Sequence, residues 1–288
     1  MVIKGGTDYK RILVIGDIHG EFTKLISLYD KIKVTDNDLV IFLGDYVDRG
    51  NENVKVLKWV LNESKKDNVI MLCGNHEDML RTDILSGNVR KGIKGTLGEI
   101  ALEKEIDRKF EDKLFLFLKK LPYYYRMNIG QQEYYFCHAG IDPEESLDSQ
   151  YEMDLLWIRE KFLVTYEGKA IIVVGHTPVM YLKSEEEIGQ MVKAYKNQPE
   201  NKEKTLVQLV EEMTEGDDDD DEDDADIDII SRKESPFIRS DAEVLKMRKC
   251  TPQWRNNGKI LMMDTGSFMP NGCISCMDIL TGKVWQSD

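Results

Sequence analysis

Five short apolar runs in this chain each lead into a small cluster of Asp, Asn or His with glycine beside it, and all four histidines of the sequence fall in these clusters. The runs are Arg11–Ile15, Leu39–Leu43, Val69–Cys73, Tyr134–Cys137 and Ala170–Val174. They lead into Gly16-Asp17-Ile18-His19-Gly20, Gly44-Asp45-Tyr46-Val47-Asp48-Arg49-Gly50, Gly74-Asn75-His76-Glu77, His138-Ala139-Gly140 and Gly175-His176-Thr177-Pro178. Short β-rich runs separated by helical periodicity, such as Phe22, Leu25, Ile26 and Tyr29, or Val54, Leu57, Val60 and Leu61, predict an α/β sheet protein. Polar groups at the carboxyl ends of such strands gather in one crevice, however far apart they lie in sequence.

The residue types in that crevice are carboxylate, imidazole and amide, without thiolate, which is the donor set of a hard-to-borderline divalent metal. Asp17 and His19, two apart in extended chain, face the same way and can serve one ion. Asn75 and His76 are adjacent and should diverge, leaving the amide oxygen for a metal and the imidazole for proton transfer. Asp45 is placed to bridge two ions held about 3.5–4 Å apart. Asp48 has a second reading, as the cap of the helix that follows it.

The rest of the chain bounds the answer. At 288 residues with 41 % hydrophobic content it is long enough for one sizeable α/β domain, and no window approaches the roughly 20 apolar residues of a membrane helix. Met1 to Lys10 has no apolar stretch of the secretory type, so a cytoplasmic location is expected, and the odd number of cysteines, five, argues against a disulfide framework. Cys273 and Cys276 lie on an expected strand, where residues three apart face oppositely, and no partner pair for zinc lies near. The net charge of −14 is local, because Glu211 to Asp228 holds 13 acidic residues and no Lys or Arg. The remainder is nearly neutral, so nucleic-acid binding is not expected. About 181–250 reads as an insertion into a single domain spanning 1–288, with Gly216 to Asp228 disordered or solvated and available to basic partners. Further strands are expected at Lys259–Met263 and Cys273–Ile279, and a long helix at Glu99–Leu121 before Pro122. Gly87 to Thr96 is rich in Gly and Lys but lacks the ending of a phosphate-binding P-loop and reads as a solvated loop.

Taken together and in this order, the clusters resemble the phosphoprotein phosphatase branch of the calcineurin-like metallophosphoesterases, most of all the small bacterial and phage-type serine/threonine protein phosphatases. The Gly-His-Thr-Pro at 175–178 and the Asp-Thr-Gly at 264–266 belong to that resemblance, which covers about Arg11 to Thr177 and Lys259 to Val284. It implies a β-sandwich flanked by helices with the metal site at the carboxyl ends of the strands. Asp17, His19 and Asp45 would bind one ion, and Asp45, Asn75, His138 and His176 the other. His76, oriented by Asp48, would be the general acid, with Arg49, Asn75 and Arg159 on the phosphate. The ions would be Mn²⁺, with Fe or Zn as alternatives in one position, and would supply a bridging hydroxide. The expected activity is hydrolysis of phosphorylated proteins or peptides. The alternatives are a symmetrical dinucleoside tetraphosphatase, a cyclic-nucleotide phosphodiesterase, or an inactive scaffold that recruits basic partners.

Overall fold

The computed structural model describes residues 9–86, 108–214, 235–247 and 249–288. Among the described residues, ten strands form two mixed five-stranded sheets. In the first, β1 (Arg11–Ile15), β2 (Asp38–Phe42) and β3 (Val69–Met71) run parallel, and β9 (Ser275–Asp278) and β10 (Val284–Gln286) close the β1 side antiparallel. In the second, β5 (Gln132–Cys137), β6 (Ile171–Val174) and β8 (Ile260–Met262) are parallel, flanked antiparallel by β4 (Tyr124–Ile129) and β7 (Gln253–Arg255).

Strand alternation assigns each face. Ile12, Val14, Leu39 and Ile41 of the first sheet pack with Phe136, Val173 and Leu261 of the second, so the two sheets lie face to face. The opposite faces are covered by helices. Leu13, Ile15, Val40 and Phe42 pack under α1 (Phe22–Ile32), α2 (Asn53–Glu63) and α4 (Arg108–Leu118), while α3 (Asn75–Ser86) starts at the end of β3. On the second sheet, Tyr135, Ile172, Val174 and Ile260 pack with residues of α6 (Glu160–Thr165), α7 (Glu185–Lys196) and α8 (Leu206–Thr214). Two short helices, α5 (Glu152–Trp157) and α9 (Asp241–Val244), complete the described set, in which no helix is long and apolar enough to cross a membrane. This is the expected α/β sandwich with helical flanks.

Much of the segment after Tyr181 is built into the outer layer of the second sheet. Ser184 and Glu187 cap α7 reciprocally, Leu182 bridges Ile238, and Val210 and Phe237 are fully buried. Lys161 pairs with Asp142 at 3.2 Å, Glu144 at 3.1 Å and Glu211 at 3.0 Å, tying the first acidic residue of the tract to α6. The rest of that tract from residue 215, Gly87 to Thr96, and the first part of the long helix expected from Glu99 lie outside the described residues. No disulfide is formed between cysteines of the described residues.

Candidate metal centre

The loops that follow β1 and β2 are stitched to each other by main-chain hydrogen bonds. Ile18 N and His19 N each donate to Asp45 O at 2.9 Å, Gly20 N to Tyr46 O at 2.8 Å, and Gly50 N to His19 O at 3.0 Å. Several residues of the site take backbone states that side chains rarely adopt: φ is 47° at His19, 52° at Asp45, 67° at Asp48 and Arg49, and 63° at His176. Strain of this kind persists only where the surroundings over-determine it, and five of the eight such non-glycine residues among the described ones are residues singled out from the sequence. Gly74 and Gly175 admit the carboxylates, since a Cβ would stand 2.2 Å from Asp45 Oδ1 and 2.1 Å from Asp17 Oδ1 respectively.

Asp45 is the hub. Its Oδ2 lies 3.5 Å from His19 Nε2, 3.3 Å from His138 Nε2 and 3.9 Å from His76 Nε2. Asn75 Oδ1 is 2.9 Å from His138 Nε2 and 3.1 Å from His176 Nδ1. Two groups of potential ligand atoms result, His19 with Asp45 and His76, and Asp45 with His138 and His176, each within 4.8 Å and sharing Asp45. The first group differs from the sequence reading by containing His76, while Asp17 Oδ2 sits 4.0 Å from His19 Nε2. Asp17 is nonetheless committed to the site. Its Oδ2 accepts from His176 N at 3.0 Å, and its buried Oδ1 has no hydrogen-bond partner among the described residues.

The outer nitrogens of two histidines are fixed from behind. His19 Nδ1 is 3.0 Å from Val47 O and His138 Nδ1 is 3.0 Å from Leu43 O, so each donates there and turns the lone pair of Nε2 inward. Burial pushes His19 down to about 3 against the pull of Asp45, keeping it a neutral ligand at neutral pH. Burial, then Asp264 and Asp45, hold the Asp17 carboxyl well above its ordinary range. Burial also disfavours the charge on Asp45, but His138, His76 and His19 outweigh it and hold the carboxyl low. Buried carboxylates in such proximity, an unpartnered carboxylate oxygen and inward-facing imidazole nitrogens fit divalent cations in chemistry and in charge.

The remaining expected residues surround this centre. His76 Nδ1 lies 2.9 Å from Asp48 Oδ2, so Asp48 serves His76, and α2 is preceded by Glu52 instead. Arg49 lies with its guanidinium carbon 4.8 Å from the centre of the Phe268 ring. Arg159 is not on a helix surface. It stands between α5 and α6, buried, and its Nη1 donates to His176 O and Thr177 Oγ1, both at 3.1 Å.

Two residues were given no role from the sequence. Glu77 accepts from Asp45 N and Tyr46 N at 2.8 Å and from Gly74 N at 3.0 Å, clamping the ends of β2 and β3 together. Its place three residues after Gly74 was the available signal. Asp264 is buried beside Asp17, its carboxyl pushed up to about 6 by burial, with the N–H of Gly266 opposing that rise.

A two-sheet sandwich with this cluster at the carboxyl ends of its parallel strands defines a metallophosphoesterase. The model of the calcineurin-like phosphoesterase family matches residues 10–200, and the chain belongs to that family. It is 31 % identical over 186 residues to serine/threonine-protein phosphatase 2 of Salmonella typhimurium, covering 60 % of this chain and 82 % of the relative. It is also 30 % identical over 194 residues to the asymmetrical bis(5'-nucleosyl)-tetraphosphatase PrpE of Bacillus velezensis, covering 58 % and 77 %. In fold it resembles a protein described as a candidate diadenosine tetraphosphatase, with a TM-score of 0.55, 15 % identity and 98 % and 94 % coverage.

Proposed function

We propose that this phosphoesterase is a serine/threonine protein phosphatase that removes phosphate from phosphorylated proteins or peptides. In this reading Asp17, His19 and Asp45 hold one divalent cation and Asp45, Asn75, His138 and His176 a second, with Mn²⁺ the preferred ion for such a donor set. Bound cations would lower the pKa of coordinated water and neutralise charge on the phosphoryl oxygens. Arg49 and Arg159 orient the phosphate, the latter aimed by its bonds to His176 O and Thr177 Oγ1. His76 delivers a proton to the leaving oxygen, with Asp48 fixing its ring.

The observation that carries the reading is the His76–Asp48 pair placed beside Asp45. A serine or threonine alkoxide is a poor leaving group and needs that proton, whereas a nucleotide phosphate leaves as a stabilised anion and needs it less. The tetraphosphatase relatives support a second reading, and they are of the asymmetrical kind, not the symmetrical kind weighed from the sequence. Parallel assays on a phosphoserine peptide and on diadenosine tetraphosphate separate the two. Preferred turnover of the peptide is expected, and preferred cleavage of the dinucleotide to ATP and AMP would replace the first reading by the second. The acidic tract, in the same proposal, biases the enzyme toward basic substrates or partners in the cytoplasm.

A further inference from the structure

The geometry points to Phe268 as a positioning residue that sets the phosphate affinity of Arg49. The inference rests on Arg49 binding phosphate in the phosphoesterase reading above. Arg49 leaves the backbone at a φ of 67°, and its buried Nε has no hydrogen-bond partner among the described residues. What faces its guanidinium is the Phe268 ring, 4.8 Å from guanidinium carbon to ring centre, well inside the roughly 6 Å reach of a cation–π contact. The same ring stands edge-on to His19, with centroids 5.1 Å apart. An aromatic face holds a guanidinium plane without occupying its N–H donors, which leaves the fork free for an anion.

Phe268 is itself held firmly. It lies in the loop after β8, turned by Gly266 at a φ of 68° and closed by Met269 N donating to Gly266 O at 2.9 Å and Gly272 N to Met269 O at 3.0 Å. The ammonium of Lys24, on α1, donates to Ser267 O and, at 3.4 Å, to Gly272 O. Met180, Tyr181 and Met269 pack with Phe268 in a small apolar cluster of their own. Tyr181 is in turn tied by its hydroxyl to Asp241 Oδ1 at 3.0 Å, and its main-chain carbonyl accepts from Arg239 N at 2.7 Å. A rigid apolar wall thus backs one cation and fixes its direction, so a phosphate meets an arginine already oriented.

The test uses the full-length, metal-loaded protein with p-nitrophenyl phosphate as substrate and inorganic phosphate as the calorimetric ligand. Phe268→Leu keeps apolar bulk but removes the ring face. It is expected to raise KM and the Kd for phosphate by roughly 3- to 30-fold, the worth of a cation–π contact, with kcat little changed. Phe268→Tyr should stay within about twofold of the parent. In an Arg49→Ala background, Phe268→Leu should add no further loss, because the two side chains act as one unit. Equal affinities for parent and Phe268→Leu, or additive losses in the double variant, would overturn the inference. So would a loss that tracks bound metal and is reversed by excess Mn²⁺, since Phe268 would then act through His19. If Arg49→Ala alone leaves phosphate binding unchanged, it is the assignment of Arg49 that fails, a result distinct from a failure of Phe268.

Discussion

His76 Nδ1 lies 2.9 Å from Asp48 Oδ2, joining the first turn of α3 to the loop that follows β2. With Nδ1 so held, the ring has one orientation, and its other nitrogen turns toward Asp45. Replacing His76 by Asn should lower kcat on a phosphoserine peptide by roughly 10²- to 10⁴-fold, the usual contribution of a general acid. The loss on p-nitrophenyl phosphate should be much smaller, because p-nitrophenolate departs without protonation. Asp48→Asn should move both substrates in the same sense by less. Identical losses on the two substrates would show that His76 does not supply the proton.

Glu77 accepts three main-chain N–H groups from two loops while almost completely buried. In Glu77→Gln an amide NH₂ must face at least one of those donors, so a bond is replaced by a mismatch. The expected cost is about 2–3 kcal/mol of stability, with weaker metal retention because Asp45 loses its anchor. Chemical denaturation and metal analysis after dialysis measure both, and an unshifted denaturation midpoint would contradict the clamp.

The acid limb of stability should contain a contribution from Asp38. Burial tends to raise its carboxyl, but the Arg11 guanidinium and the N–H and hydroxyl of Thr35 outweigh burial and hold it below the ordinary carboxylate range. A carboxyl lowered on folding stabilises the native state above its unfolded pKa, about 3.9, and that stabilisation is lost as pH falls through the folded value. The stability gap between the parent and Asp38→Asn should therefore be constant near neutrality and shrink below about pH 4. A gap independent of pH down to 2 would show that the Arg11–Asp38 pair is not the source.

What could be read from the sequence was what local chemistry dictates. All five apolar runs of the opening pattern became strands, because β-branched and aromatic alternation is a local signal. Strands β4, β7 and β10 were not anticipated. Tyr124–Ile129 mixes Arg and Asn into an edge-strand pattern, and Gln253–Arg255 and Val284–Gln286 are too short to show a period. Asp48 had two readings in sequence, and the fold brings His76 to it across 28 positions. Arg159 likewise owes its burial to the His176–Thr177 backbone, a contact spanning 17 positions that no spacing rule encodes. Phe268 carried no motif at all, and its relation to Arg49 exists only in three dimensions.

The acidic tract gives a prediction that depends on ionic strength. The chain that follows it, from Ser235 to Val244, packs against Tyr181, whose cluster includes Phe268 beside Arg49. An anionic field acting there decays over about 8 Å at physiological salt. Replacing Gly216 to Asp228 with a short Gly/Ser linker should preserve folding and p-nitrophenyl phosphate turnover. At low salt it should raise KM for basic phosphopeptides and lower it for acidic ones. Unchanged KM values for both peptides at low ionic strength would reduce the tract to a spacer.

The residues converging on Asp45 are expected to hold divalent cations without which no phosphoester is hydrolysed. This is tested most directly by measuring metal content and p-nitrophenyl phosphate turnover on one preparation before chelation, after it, and after Mn²⁺ is restored. About two ions per chain are expected in the active protein, with loss of turnover as they are removed and recovery with Mn²⁺. Metal-free protein hydrolysing the ester at the undiminished rate would contradict this expectation.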